Sequence, residues 1–398
     1  MLVEIHILQN HAPSNLNRDD TGSPKECTFG GVKRARISSQ CLKRTIRRSA
    51  VFTAAMDGHL ATRTRRLPEL VRQALLNDGM APELAEIAAK KASGFGTKEG
   101  KEQEKPETAQ TMFLTQADIT AVADVLQAAA QEAGSAAKFE KIAAKDLQAK
   151  AVQAGYRPMT VDIALFGRMT TSEAFRDIEA AAQVAHALST HKVDHEFDYF
   201  TAVDDLQGTS EAEEDAGAGM LGDVEFNSAC YYKYVSIDVD GLRDNLTWRR
   251  MFKREIPADE LQQADGLARA AVSALLHAAI MTTPTGKQNS FAAHQLPAAV
   301  LVEVRPSPTP VSYANAFVEP ARAGKDGDLV SASLAKLQTH VEALTAGFNL
   351  ETTARFLLAP EHPEFAIGGG VTTVESLRTL CARLEEVLAW QPGELVHG

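Results

Sequence analysis

A block of alanine-rich helical sequence interrupts stretches of strand character, and this interruption constrains the fold of the 398-residue chain more than any other feature. Residues 2–8, Leu-Val-Glu-Ile-His-Ile-Leu, are mostly apolar and read as a buried strand. A polar loop is expected from about His11 to Gly31. From about Asp57 to Gln183 the spacing predicts helices near 68–91, 115–133, 136–153 and 171–188. Gly94-Phe95-Gly96 breaks this block, and the Lys- and Glu-dense residues 97–108 read as a mobile surface loop. Strand character returns after Thr190. His195, Phe197, Tyr199 and Thr201 alternate with Asp194, Glu196, Asp198 and Phe200, which suits a hairpin arm with an acidic tip at Gly208–Met220. An aromatic strand at Glu225–Val239, a helix at 256–281, a strand at 298–304 and helices at 331–346 and 372–390 follow. The last is expected to start at a Thr372/Glu375 capping box. The chain therefore reads as α+β, a sheet-bearing body with a helical insertion.

Several function classes are disfavoured at once. No run of about 18 uncharged apolar residues is present, so no membrane span is expected. Cys27, Cys41, Cys230 and Cys381 are scattered without a C-x-x-C pair, which argues against a zinc site or a disulfide framework. The start of the chain lacks the charge and apolar run of a signal peptide, and a cytoplasmic location is expected.

The net charge of −11 would speak against nucleic acid if it were uniform. Residues 1–50, however, hold nine Lys and Arg against four acids, a net of +5 that leaves −16 on the remainder. A local basic patch on an acidic body suits a protein that grips phosphate in one place and repels it elsewhere. The densest part is Lys33-Arg34-Ala35-Arg36-Ile37-Ser38-Ser39-Gln40-Cys41-Leu42-Lys43-Arg44. Ser38-Ser39 is a good N-cap for a helix from about Gln40. Leu42, Thr45, Ile46 and Ser49 then share one face, with Lys43, Arg44, Arg47 and Arg48 on the other. Such a face neutralises phosphate without reading sequence. The competing reading is a solvated cationic helix.

The stretches Asn17-Arg18-Asp19-Asp20, Phe29-Gly30-Gly31 and Arg36–Arg44 resemble the N-terminal signature of the CasC family, the backbone subunit of Cascade in type I-E CRISPR systems. Val161–Met169, Asp198–Leu206 and Ser312–Phe317 resemble that family in the same order. The resemblance implies a right-hand shape. Its RRM-like (ferredoxin-like) palm comes from residues 1–56 and 184–398, helical fingers from 57–183, and a β-hairpin thumb from about 193–226. It implies copies lined up head to tail on CRISPR guide RNA (crRNA), joined by other Cascade subunits and meeting target DNA through the guide. It further implies that Lys25, Ser38, Gln40, Lys43, Arg44 and Arg47 contact the RNA backbone. Met169 would pack on bases, and Phe200, Thr201 and Val203 would wedge at a displaced nucleotide. Such sequence-independent contacts suit a filament that must accept any guide.

Lys138, Lys141 and Lys145 are expected to share a helix face that touches target DNA, with plain solvation as the alternative. His186, His191 and His195, near Asp194, Glu196 and Asp198, are the best case for a metal, but their spacing does not set a shared site and no HExxH supports one. A polar strand face is the alternative. Lys287, in Thr285-Gly286-Lys287-Gln288, lacks the glycine spacing of a P-loop. Asp204 and Asp205 sit where related backbone proteins of other subtypes cut RNA, yet Val-Asp-Asp-Leu matches the non-cleaving pattern. No catalysis, cofactor or metal is therefore expected. The acidic tip, with Glu211, Glu213, Glu214 and Asp215, is expected to point away from phosphate or to approach a neighbouring copy's basic surface. The alternatives are a metal-dependent CRISPR-type ribonuclease and a monomeric RNA-binding module.

Overall fold

The computed structural model describes residues 1–153, 158–202, 220–253, 255–325 and 328–389. The chain is α+β and divides into two compact units. One comprises residues 1–52, 184–236 and 273–389, the other 53–183 with 237–272.

The first unit is organised by a sheet. Its strands are β1 (Leu2–Ser14), β2 (Glu26–Phe29), β3 (Val32–Ile37), β4 (Ala187–Ser189), β5 (Glu196–Ala202), β6 (Met220–Asp238), β7 (Ala299–Arg305), β8 (Ala354–Leu358) and β9 (Thr372–Thr373). The hydrogen-bonded order is β9-β8-β7-β1-β6-β4-β3-β2, and β5 pairs with β6. The sheet thus runs farther than the alternation suggested: β1 continues to Ser14, and β2 occupies part of the expected loop. The β2–β3 turn is a two-residue hairpin in which Gly30 and Gly31 have φ of 60° and 80°, a conformation that favours glycine. Gly30 is required twice over, since a Cβ there would lie 2.0 Å from the Val318 carbonyl oxygen.

Antiparallel register places Glu4 opposite Glu303 and Glu303 opposite Arg355, so three charged residues line up across β1, β7 and β8. Side chains of laterally opposed residues share a face. The result is a buried ionic network. Arg355 donates to Glu303 at 2.6 Å and Arg305 donates to Glu303 at 2.8 Å. Arg305 also bonds Glu4, whose carboxylate accepts the Val311 N–H at 2.7 Å. Tyr313 O–H donates to Glu303 at 2.7 Å. His6 joins through Tyr232 at 2.8 Å and Glu303 at 3.4 Å. Helix Leu329–Gly347 covers this face with Leu334, Leu337 and Val341. On β1 the alternate residues Val3, Ile5 and Ile7 are also buried, so both faces read as core.

The second unit is helical. Its elements follow helix α1 (Ser39–Arg47) of the first unit: α2 (Leu67–Asn77), α3 (Pro82–Ser93), α4 (Gln116–Ala133), α5 (Ala136–Glu140), α6 (Ala144–Gln153) and α7 (Val161–Phe166). Leu67, Val71, Leu75, Val122, Leu126 and Phe139 lead its core. The helix expected at 115–133 starts at a Thr115/Asp118 capping box and ends at Gly134, with φ of 67°.

Three other helical expectations fail for identifiable reasons. Residues 68–91 form two helices because Gly79 turns left-handed, with φ of 83°. Residues 136–153 break between α5 and α6, where the buried Lys91 ammonium takes the carbonyls of Glu140 at 3.0 Å and Ile142 at 2.6 Å. Residues 171–188 are not helical: Arg168 and Ile178 exchange backbone bonds at 2.9 and 2.7 Å, and strands follow. Within residues 97–108 the Gln103 N–H bonds the Ser93 hydroxyl at 2.8 Å and the Thr108 N–H bonds the Arg65 carbonyl at 2.8 Å. The last helix is Leu377–Val387, capped by Ser376, because Thr372–Thr373 joins the sheet. Helix Ala258–Met281 is long and apolar enough to cross a membrane by length and composition, but 61% of its most apolar window is buried.

Breaking a buried charge cluster from one side leaves an unpaired charge. Arg355→Met is expected to lower the unfolding free energy by about 3–5 kcal/mol in urea titrations, and a loss below about 1 kcal/mol would contradict the role given to the network. Burial would raise the Glu303 carboxyl, but His6, Arg305 and Arg355 reverse this and hold it well below the usual range. Its stabilisation is therefore present above the unfolded carboxylate pKa of about 4.3 and is lost as pH falls below it.

Candidate nucleic-acid interface

Helix α1 follows β3 directly. Ser38 caps it, with extended φ and ψ of −68° and 146°, its hydroxyl accepting the Cys41 N–H at 3.3 Å. Asn17 in turn accepts the Ser38 N–H at 2.8 Å, which anchors the Asn17–Asp20 stretch to the helix start. Leu42 and Ile46 are buried, and the basic side chains take the other positions, as the helical spacing predicts. Gln40 and Arg44 are exposed, Lys43 and Arg47 are half-buried, and Ser38 is buried. Burial lowers the Lys43 pKa.

Lys25 reaches the same neighbourhood through the backbone. Its N–H bonds the Asn17 carbonyl at 2.8 Å, and its carbonyl accepts the Arg36 N–H at 2.8 Å. Burial raises the Cys41 thiol, while a hydrogen bond from Thr45 and the charges of Lys25 and Arg44 pull it down. Lys25, Ser38, Gln40, Lys43, Arg44 and Arg47 therefore lie in one unit, Ser38 and Gln40 at the start of α1 and Arg44 and Arg47 in its last turn. Among the described residues, Lys25, Lys43 and Arg44 make no ion pair with a carboxylate.

The basic run is not one patch, however. Arg34 is fully buried and donates to the carbonyls of Phe29 at 3.3 Å, Ser189 at 3.2 Å, Phe317 at 2.7 Å and Val318 at 3.2 Å. It joins the Phe29-Gly30-Gly31 turn to the Ser312–Phe317 stretch, across a separation of 283 residues from Arg34 to Phe317, and is enclosed in the interior. Lys33 is paired with Glu26 at 2.9 Å. No local pattern marks which of these cations are consumed this way.

His186 is the residue that sequence reasoning misplaced. It is exposed at the α1 start, where its Nδ1 lies 3.2 Å from Arg36 Nη1 and 3.3 Å from the Ser39 backbone nitrogen. His195 instead bonds Glu225 and lies 3.4 Å from Glu26, clamping the base of the β5–β6 hairpin. His191 is half-buried. The three histidines do not converge as a metal site. Among the described residues only Glu4, His6 and Glu303 lie close enough together for one. Arg305 and Arg355 already neutralise those two carboxylates, so the cluster fits an ionic network better than a cation.

The hairpin pairs Glu196 with Phe226 through Ala202 with Met220. Opposed residues share a face, so Phe197, Tyr199 and Thr201 stand with Leu221, Asp223 and Glu225, and Phe200 stands over Gly222. A Cβ at 222 would lie 2.6 Å from the Phe200 ring, so the glycine makes room for it. Phe197 and Tyr199 are about two-thirds exposed, which is unusual for aromatic side chains in a strand. Val203, Asp204, Asp205 and the acidic tip lie outside the described residues.

Met169 belongs to the other unit and is 94% exposed. A pedestal holds its loop: Arg168 pairs with Asp118 at 2.7 Å in the interior, and the Thr170 N–H bonds Asp177 at 2.7 Å. Lys138, Lys141 and Lys145 are exposed in that unit but do not share one helix face, because α5 ends at Glu140 and α6 begins at Ala144. Lys287 sits at the start of a short helical turn with φ of 51°.

Replacing Gly222 by alanine is expected to displace the Phe200 ring with a stability change within about 0.5 kcal/mol, because the hairpin is exposed. Aromatic NMR shifts of Phe200 should move while the melting temperature holds, and unmoved shifts would refute the contact.

The CT1975-like protein family matches residues 3–383 of this chain. The chain is also similar to a solved chain of a CRISPR RNA-guided surveillance complex, pre-nicking, at 28% identity and a TM-score of 0.76, covering 97% of this chain and 100% of that one. A second similar chain, from a CRISPR RNA-guided surveillance complex, has 23% identity and a TM-score of 0.67, with 96% and 100% covered, and supports the fold. No curated protein matches the chain.

Proposed function

Since the chain belongs to the CT1975-like protein family, we propose that it is the guide-RNA-binding backbone subunit of a CRISPR surveillance complex of the type I-E Cascade kind. The observation that carries this reading is the division of labour at α1. Its apolar face is buried, and Lys43 and Arg44 on it, with Lys25 in the segment before β2, have no carboxylate partner among the described residues. Cations left unpaired at one place on a chain of net charge −11 repel one another unless an anion covers them. A polyphosphate strand supplies that anion, and side chains of this type grip it whatever its sequence.

In this reading the first unit supplies an RRM-like palm, the second unit's helices the fingers, and the β5–β6 hairpin the thumb. Lys25, Ser38, Gln40, Lys43, Arg44 and Arg47 hold the RNA backbone. Met169 offers an apolar contact for bases, and Phe200 with Thr201 and Val203 wedges at intervals, since an aromatic or thioether group accepts any base face. Copies of the chain add head to tail, other Cascade subunits complete the assembly, and the exposed guide segments pair with target DNA. Lys138, Lys141 and Lys145 add a diffuse positive field toward that DNA. The subunit acts without catalysis, cofactor or metal and works in the cytoplasm in antiviral defence.

Native mass spectrometry of the protein purified from its host is expected to show several copies on one RNA of uniform length with partner subunits. A single RNA-free chain that degrades added RNA with magnesium or manganese would overturn the reading in favour of a nuclease. Lys43→Ala combined with Arg47→Ala is expected to weaken binding to unrelated RNA sequences alike. The slope of log affinity against log salt should become shallower by about 1.4 for two lost single-strand phosphate contacts. An unchanged slope would place the RNA elsewhere.

A further inference from the structure

We propose that His186 is a further RNA-contacting residue, acting as a neutral hydrogen-bond donor to an oxygen of the sugar-phosphate backbone. The inference rests on the RNA-binding reading above and deepens it by one side chain.

The argument begins with the tautomer. An imidazole nitrogen that faces two N–H donors must accept, and a neutral ring with one accepting nitrogen carries its proton on the other. Arg36 Nη1 at 3.2 Å is always a donor, and so is the Ser39 backbone nitrogen at 3.3 Å. Both meet Nδ1, so the proton sits on Nε2. The ring is exposed, and Nε2 has no partner among the described residues. The groups facing the ring are Arg36 from β3, Lys25 from the segment before β2 and the first N–H of α1. Burial is the leading cause that lowers its pKa, followed by the charges of Arg36 and Lys25. No carboxylate is among the causes acting on it. A neutral donor thus stands beside Lys25 and Arg36, at the start of the helix that carries Lys43 and Arg44. Cations there attract a strand of phosphates, and a fixed N–H then meets acceptor oxygens on phosphate or ribose. The same geometry removes His186 from metal binding through Nδ1, because that lone pair is already shared by two donors.

The test uses the full chain and fluorescence anisotropy with a mixed-sequence single-stranded RNA and the same sequence as DNA. His186→Ala is expected to weaken RNA binding about 3- to 10-fold, the scale of one net hydrogen bond. His186→Gln, which keeps an outward amide donor, should recover part of the loss. The ratio of wild-type to His186→Ala affinity should hold between pH 7 and 8.5, because the wild-type ring is neutral throughout. An equal loss on RNA and DNA assigns the acceptor to phosphate, and a loss confined to RNA assigns it to the ribose 2′-hydroxyl. Wild-type affinity in His186→Ala, while Lys43→Ala with Arg47→Ala still weakens binding, overturns this inference alone. Full affinity in His186→Phe with none recovered in His186→Gln also overturns it, in favour of stacking. A wild-type chain that binds no RNA overturns the underlying reading.

Discussion

The buried ionic network of Glu4, Glu303, Arg305 and Arg355 is the constraint on which the first unit depends. Charges with almost no solvent access persist only when each finds its opposite and every remaining lone pair is filled. Here two carboxylates meet two guanidinium groups, and Tyr313, Tyr234, His6 and the Val311 N–H take up the rest. The network reaches from the first strand of the chain to a strand more than 350 residues later, so it specifies which strands are neighbours. A shift of one residue in β1 would turn Glu4 to the other face of the sheet and leave Arg305 without it. Hydrophobic strands alone tolerate such slips more readily, which gives a physical reason for spending charged residues at this depth.

The same logic of satisfied charge distinguishes the cations within one basic run. Arg34 and Arg36 are two residues apart in one strand and belong to the same basic run. Arg34 is enclosed by four carbonyls and holds the Phe29–Val32 turn against the segment after Tyr313. Arg36 is half-buried, donating one nitrogen to the Glu26 backbone carbonyl and another to His186 Nδ1. On α1 the burial of Leu42 and Ile46 fixes which way the helix faces, leaving Arg44 exposed and Lys43 and Arg47 half-buried beside it. A patch that grips RNA without reading it needs only this, because phosphate spacing rather than base identity sets the contact.

Apolar groups that fail to find a core are the second theme. Phe197, Tyr199 and Met169 lie at the surface on elements that are firmly held, by a seven-residue strand pairing in one case and by the Arg168–Asp118 pair in the other. Exposing apolar surface on a rigid support carries a solvation cost that a flexible loop would avoid by collapsing. Its natural compensation is a partner with a flat π face or an apolar neighbour.

Local pattern determined much of this protein in advance. The α+β class, the strand at the N-terminus, the Ser38 cap, the two-sided character of α1, the hairpin arm and the helix at 115–133 all follow from short-range rules, in which a cap, a period or an alternation fixes an element from its own residues. The Lys138, Lys141 and Lys145 face does not, since the Lys91 ammonium arrives from another helix and draws off the carbonyls that would have continued α5. Nor do the fate of Arg34, the place of His186 beside Arg36, or the failure of a helix at 171–188. Arg34 depends on Phe317, 283 residues away, and His186 on Arg36, 150 residues away, while the helix at 171–188 is replaced by the Arg168–Ile178 backbone exchange. A sequence states which groups carry charge, but only the tertiary structure decides which charges are already satisfied, because satisfaction is a matter of distance in space.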